Sequence, residues 1–282
     1  MHQTAIGILS FNHPEITSKC VRSVLEHFDG EVFLLHNGST KENIEKLKVD
    51  FPKLNHLVLP VNCGFAGGAS ELLDQCFKNA EWLLFLSNDC ELLKPLRNQP
   101  KESGLYAPKI FRRKSGQVDS LGGYWDLKNF RLRHCRTEED FRNLKRNSKP
   151  YVPGAAFWID RGSWLRLRPF QLSLSSYWED VDLSFRAQAL GIPLQLFPDT
   201  EISHGIGKTC SKDPHYTTYL FQRNRAWIAR KHLVRSLFFR FVIRYAADSL
   251  KVALRCLTSG RLERLRLTFR AFRDGLFSKD SI

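Results

Sequence analysis

The sequence has no run of eighteen apolar residues, so no segment is expected to cross a bilayer as a helix. It has no low-complexity stretch and no internal repeat, which argues against fibrous and solenoid architectures. Its seven cysteines are scattered, odd in number and free of any CxxC spacing. A zinc site or a disulfide framework is therefore not expected, and a reducing cytoplasm is the natural compartment. The opening segment MHQTAIGILSFNHP has no basic region ahead of its short apolar run, and it reads as a first strand rather than a signal peptide. Acidic residues are also scarce, with 29 Asp/Glu against 43 Lys/Arg and a net charge of +14. The imbalance is uneven: residues 230–282 hold 13 Lys/Arg and 4 Asp/Glu, a net of +9. Such a surplus is either a solvated face or an attraction for nucleic acid or an anionic membrane. The cations sit among aliphatic side chains, without an RNA-binding aromatic signature or a zinc finger, so no nucleic-acid partner is expected.

What is present suits an ordered globular protein. The chain has 282 residues, 43% of them apolar and 12% aromatic. That is enough for one large α/β domain, alone or with an appendage. TAIGILSF (4–11), EVFLLHNGS (31–39), HLVLPV (56–61) and WLLFLSND (82–89) are β-prone runs. Between them, residues 15–28, KENIEKLKVDF and GGASELLDQCFKNA carry helical character. The order βαβαβαβ predicts parallel strands with right-handed crossovers, and ligands beyond the carboxyl ends of those strands. Asn37-Gly38, Asn62-Cys63-Gly64 and Ser87-Asn88-Asp89 all emerge at that edge. The middle, 96–150, is expected to be loop-rich, and VPGAAFWIDRGSWLRL (152–167) a strand followed by a helix start. YWEDVDLSFRAQALG (177–191) reads as a helix ended by Gly191, and LQLFPDTEISHGIG (194–207) as a strand pair ending at a histidine. From about 216 to 273 the chain is expected to be helical and basic.

Four groups could carry chemistry, and each has a plainer reading. In NCGFAGGASELL (62–73), Gly64, Gly67 and Gly68 precede a helix; they serve close approach to a phosphate or sugar, or an ordinary tight loop. Asp89 at a strand end can hold a divalent cation on a diphosphate, or cap a turn. Glu179 and Asp180 open a helix; they answer the macrodipole, or one serves as a general base. Asp182 and Arg186 are spaced as a surface ion pair. His204 is structural, or a ligand if it faces the same crevice as Asp89.

The ordered set of motifs resembles glycosyltransferase family 2, of the GT-A fold, and within it the rhamnosyltransferase-like branch of non-processive bacterial enzymes. The motifs are ILSFN (8–12), HNGST (36–40), NCGFAGG (62–68), LFLSND (84–89), PKIF and GQVDSLGG within 108–123, VPGAAFWIDR (152–161), YWEDVDLSFRAQALG (177–191), ISHGIG (202–207) and YLFQRNRAW (219–227). The resemblance covers about residues 4–230. It implies an α/β catalytic domain over 1–229, and the composition of the remainder gives a basic amphipathic helical extension over 230–282.

The resemblance also implies residue roles. Asn37 stands where the family contacts the nucleobase, and Asn62, Gly64, Gly67 and Gly68 where the chain runs along the nucleoside. Asn88 and Asp89 end the family's DxD-like motif, whose last acid coordinates Mg²⁺ or Mn²⁺. His204 matches a position that often completes the metal site. Asp180 stands for the catalytic base, with Glu179 beside it. Arg223 lies in a segment that can reach the diphosphate. The implied activity is inverting transfer of one sugar from a UDP- or dTDP-type donor to a saccharide or lipid-linked acceptor, in cell-surface polysaccharide or glycolipid synthesis. The departures are His36 for the family's usual Asp, Ser70 for a frequent Asn, and Ser87 and Asn88 in the metal motif, which leave Asp89 as its sole acid. The processive QxxRW signature is absent, because QRNRAW has an extra residue. A degenerate, non-enzymatic binding protein of the same fold is the competing expectation. The interleaved cations and apolar residues of 232–256 and 261–277 add the expectation of peripheral contact with an anionic membrane surface, against simple packing on the catalytic domain.

Overall fold

The computed structural model describes residues 4–205, 214–258 and 262–277. Gly207 of the ISHGIG stretch and Cys210 lie outside these residues. The first half alternates as expected: β1 (Thr4–Ser10), α1 (Pro14–His27), β2 (Glu31–Asn37), α2 (Lys41–Asp50), β3 (Asn55–Leu59), α3 (Gly64–Cys76) and β4 (Trp82–Ser87). A tight turn at Asn88-Asp89 leads into β5 (Cys90–Leu92). The middle supplies β6 (Leu105–Arg112), β7 (Val118–Leu121), β8 (Gly123–Asp126), β9 (Arg131–His134), α4 (Glu138–Arg142), β10 (Ser148–Tyr151), β11 (Ala156–Asp160) and α5 (Arg161–Leu167). The last third holds α6 (Glu179–Ala189), β12 (Leu194–His204), α7 (Pro214–His232), α8 (Arg235–Thr258) and α9 (Leu262–Phe277).

The main sheet runs β3-β2-β1-β4-β11-β6-β12-β5, with β7 paired onto β6. β3, β2, β1 and β4 are parallel, as the sequence predicts. β11 lies antiparallel between β4 and β6 and makes the sheet mixed. No alternation in the sequence announces that insertion, because β11 is buried on both faces like its neighbours. Residues 194–204 form one strand, not a pair; its register against β6 shifts between Phe197 and Glu201, where an irregularity bends it. A smaller sheet, β10-β8-β9, stands apart.

β4 shows why such an apolar segment stays central. Leu83 and Phe85 enter the core on one face of the sheet, with Leu72, Leu73, Phe157 and Trp164. Trp82, Leu84 and Leu86 enter the core on the other, with Val21, Val24 and Trp158. Side chains alternate across a strand, so a strand covered on both sides must be apolar throughout. Truncating Phe85, fully buried against Phe157 at 4.8 Å, would cost about 3–5 kcal/mol.

A third core joins the small sheet and α6 to the C-terminal helices through Trp125, Phe130, Trp178, Phe185, Phe241 and Tyr245. The domain boundary expected after residue 229 falls inside the continuous helix α7, whose Ala226 and Ile228 belong to this core. The same core holds Phe241 and Tyr245 of α8, so residues on the two sides of position 229 pack together.

Candidate active site

Three chain segments converge at the carboxyl edge of the sheet. The Ser87 hydroxyl at the end of β4 lies 2.9 Å from Asp89 Oδ1 and 3.1 Å from the Ala155 carbonyl. The Ser87 N–H also donates to Ala155 O, at 2.9 Å. One residue earlier, the Gly154 N–H donates to Asp180 Oδ2, at 2.9 Å. Two consecutive residues thus join the Asp89 turn to the start of α6. A Cβ added at Gly154 would lie 3.2 Å from Asp180 Cβ and 3.3 Å from the Phe65 ring, so α3 closes on the same point.

Asp89 is buried and held in place from several sides. Arg113 Nη2 and the Gly205 N–H donate to its carbonyl, at 2.6 and 3.0 Å. His204 Nε2 lies 3.4 Å from Oδ1. Burial pushes the Asp89 carboxyl up, but His204 and the Ser87 hydroxyl outweigh it and hold it below the ordinary range. Asp89, Cys90 and His204 each place a potential ligand atom within 4.8 Å of the others. Cys90 is a member that the sequence did not suggest. Its thiol is fully buried, and burial pushes it well up, so it is no ready thiolate. A carboxylate held charged beside an imidazole suits Mg²⁺ or, better, Mn²⁺, with phosphate oxygens completing the shell.

Asp180 and Glu179 lie at the N-terminus of α6. Burial pushes the Asp180 carboxyl up, although the Gly154 and Val181 N–H groups partly oppose it. Glu179 is more deeply buried, its Oε2 has no hydrogen-bond partner, and burial with the charge of Asp180 pushes it well above the usual range. Asp182 differs. It is no surface pair with Arg186 but a fully buried carboxylate that also meets Lys231 at 3.2 Å and His232 at 2.7 Å. Those partners overcome its burial and pull it down to about 2.

The turn that presents these acids is strained. Ser175, Tyr177 and Trp178 have φ of 60°, 70° and 71°, the left-handed region that residues with a Cβ disfavour. Asn224, fully buried on α7, secures it: its amide nitrogen reaches the carbonyls of Leu174, Ser176 and Tyr177 at 2.8, 2.9 and 2.8 Å. Arg223 Nη2 donates to Ser173 O and Leu174 O, at 2.8 and 3.2 Å. The guanidinium expected to reach a diphosphate is thus engaged with this turn. Asn224 was readable only as a buried amide in a helix, a weak signal without its partners.

The glycine segment also differs from expectation. Gly64, Gly67 and Gly68 lie inside the first turns of α3, not ahead of it. The first N–H groups of that helix are occupied by protein: Gly64 donates to Asn62 Oδ1 at 2.8 Å, Phe65 to Ser176 Oγ at 3.2 Å and Ala66 to Ser175 O at 2.8 Å. Gly64 has φ of +70° and its missing Cβ makes room for Ser175. A Cβ at Gly68 would lie 2.8 Å from Asn37 Nδ2. Asn37 in turn donates to Asn62 Oδ1 and Gly64 O, at 3.2 and 2.8 Å, and accepts from the Cys63 N–H at 3.0 Å. Asn37 and Asn62 therefore build the loop. Asn88 donates to Thr17 Oγ1 at 2.8 Å, in the interior beside α1. His36 is fully buried, with Nε2 3.0 Å from His56 Nδ1, and His56 Nε2 lies 3.0 Å from Phe51 O. The Phe51 carbonyl can only accept, so both rings carry Nε2–H when neutral. Burial and the neighbouring ring push His36 down to about 4.

No protein-family model matches the sequence, and no curated protein matches it. Solved structures do. Staphylococcus aureus TarS (residues 1–349, in complex with UDP) aligns with a TM-score of 0.55 at 16% identity, over 96% of this chain and 81% of that one. A second structure of TarS 1–349 aligns at 0.54 and 16% identity, over 98% and 81%. The mannosyltransferase PcManGT of Pyrobaculum calidifontis, in complex with GDP-mannose and Mn²⁺, aligns at 0.52 and 12% identity, over 95% and 73%. At these identities the likeness is one of fold, and the chain has the GT-A-like α/β fold of these structures.

Proposed function

We propose that this protein is a nucleotide-sugar-dependent glycosyltransferase that transfers one sugar with inversion. The observation that carries the reading is the pair of carboxyls, Asp89 and Asp180, joined through the consecutive residues Gly154 and Ala155. Asp89 and His204 would hold a divalent ion. Such an ion, when bound, neutralises charge on a leaving diphosphate. Asp180 accepts the proton of the acceptor hydroxyl as that oxygen bonds to the anomeric carbon and the bond from that carbon to the donor phosphate breaks. Its raised proton affinity suits the task. A single displacement inverts the anomeric centre. Glu179, deeper and pushed further up by burial, lies beside it. Asn37, Asn62 and Gly64 shape the nucleoside side. Gly67 and Gly68 let α3 approach closely there, and Asn88 buttresses the metal turn from behind. Arg223 and Asn224 hold the turn before Asp180.

UDP and GDP-mannose in the aligned structures support a nucleoside-diphosphate donor here. The rhamnosyltransferase-like motifs favour a hexosyl donor of the UDP or dTDP type, used in polysaccharide or glycolipid synthesis. A lipid-linked acceptor would bring the enzyme to the cytoplasmic face of a membrane. The test is a thermal-shift panel of UDP, dTDP, GDP and CMP, each with and without Mn²⁺. Stabilisation by one nucleotide that requires Mn²⁺ is expected. Stabilisation that ignores the metal, with no sugar transfer, would identify a binding protein with a degenerate site. No shift with any nucleotide would reject the donor assignment.

A further inference from the structure

The third core leaves one face of α8 uncovered. Phe241, Tyr245, Ala253 and Cys256 turn inward and are buried. Phe239, Ile243 and Leu250 turn outward and are 67%, 56% and 61% exposed. At about 100° per residue these three fall within about 40° of one another. Arg240, Arg244 and Lys251, all exposed, form a second stripe within about 40° of itself, directly beside the first. α9 repeats the composition: Phe269 and Phe277 are exposed on the side that carries Arg266, Arg270 and Arg273. Isolated exposed apolar residues need no explanation, but an aligned stripe flanked by cations does.

We infer that the outer face of α8 docks on an anionic lipid surface, with Phe239, Ile243 and Leu250 among the acyl chains and Arg240, Arg244 and Lys251 on the headgroups. The arrangement of charges selects this occupant. A second copy meeting the stripe face to face would set like charges of the Arg240–Lys251 row against each other. Arg244 has Asp248 at 3.4 Å, but a neutral apolar partner would offer no counter-charge to Arg240 and Lys251. A phospholipid boundary offers both chemistries at the same depth. No helix among the described residues is long and apolar enough to cross a membrane, so the contact lies in the interface plane. α8 shares a core with α6 and the small sheet through Phe241 and Tyr245, so docking would fix the candidate site relative to the surface. The inference deepens the proposed transferase by naming the surface where its acceptor resides, but the docking itself does not depend on catalysis.

Flotation of the full-length protein with phosphatidylcholine vesicles, with and without phosphatidylglycerol, tests it. Binding is expected only to the anionic vesicles and should fall in about 0.5 M salt. A triple variant, F239S with I243S and L250S, should lose more than about tenfold of that binding, and so should R240E with K251E. Because all five residues are exposed, both variants should keep the wild-type Tm; if the serine variant does not fold, the charge reversal decides. No flotation, or equal flotation of wild type and charge reversal, would overturn the proposal. So would a dimer in light scattering that F239S disperses, since a second copy would then cover the stripe. Nucleotide-dependent thermal shifts of the same variants separate this outcome from failure of the transferase reading, because the five substituted residues are exposed on the outer face of α8 and none is assigned to the donor.

Discussion

The two acidic corners of the candidate site are tied to neighbouring residues of one loop, yet they are treated in opposite ways. Asp89, at the β4–β5 turn, is buried beside an imidazole and a hydroxyl that hold its negative charge. Asp180, at the start of α6, is half-buried and its oxygens accept from backbone N–H groups, and Glu179 behind it is buried with even less. The proposed transferase calls for one corner that stays charged and another that exchanges a proton, and the two environments suit those roles. When environments push neighbouring carboxyls apart in this way, their roles can be told apart before any ligand is seen.

The largest expected effect breaks the proton-exchanging corner. Asp180→Asn should lower kcat by roughly 10²- to 10⁴-fold while leaving nucleotide binding intact. In the wild type, kcat should climb with pH through a value above the ordinary carboxylate range, because only the deprotonated base works and burial raises its pKa. That acid limb should vanish from the residual rate of the variant. Breaking the charged corner should do the reverse: Asp89→Asn should weaken Mn²⁺-dependent nucleotide binding by roughly 100-fold, read by calorimetry, and abolish the metal requirement of the thermal shift.

A third test uses Asp182 as a reference carboxylate outside the cleft. Its folded pKa, about 2, lies below the unfolded value, so its contribution is complete above pH 4. That contribution, roughly 2 kcal/mol, should be lost as pH falls from about 4 to 2. Denaturant titrations across that window should show the loss, and Asp182→Asn should show none of it. The smallest effect sharpens the comparison within α6. If Glu179 is neutral, Glu179→Gln mimics it and should change kcat by less than about threefold. A loss as large as that of Asp180→Asn would exchange their roles.

Much of this was legible in the residues. The βαβαβαβ half follows from periodicity, and β4 ends at the cleft where its apolar run stops at Ser87. Asp89, Asp180 and His204 could be singled out because polar groups at strand ends and helix starts are few. What escaped the sequence depends on contacts between distant segments. The antiparallel insertion of β11 is decided by sheet packing. Asn37, Asn88 and Arg223 read as ligand contacts, and the protein atoms that each also bonds come near only on folding, so that supporting role could not be read. Asn224 secures three carbonyls some 47 to 50 residues away in the chain, which no local pattern reveals. Asp182 reads as half of an i,i+4 pair, and only the docking of α7 buries it with Lys231 and His232.

The Gly154-Ala155 link has a consequence for how the protein can change over time. It works as a ruler one peptide unit long, about 3.8 Å between Cα atoms. Loops around the cleft can lengthen or shorten and retune which sugar is accepted. An insertion between these two residues would separate the corners by another such unit, a shift far larger than a reacting geometry tolerates. Variation should therefore gather in the flanking loops, while the length of this short segment stays fixed.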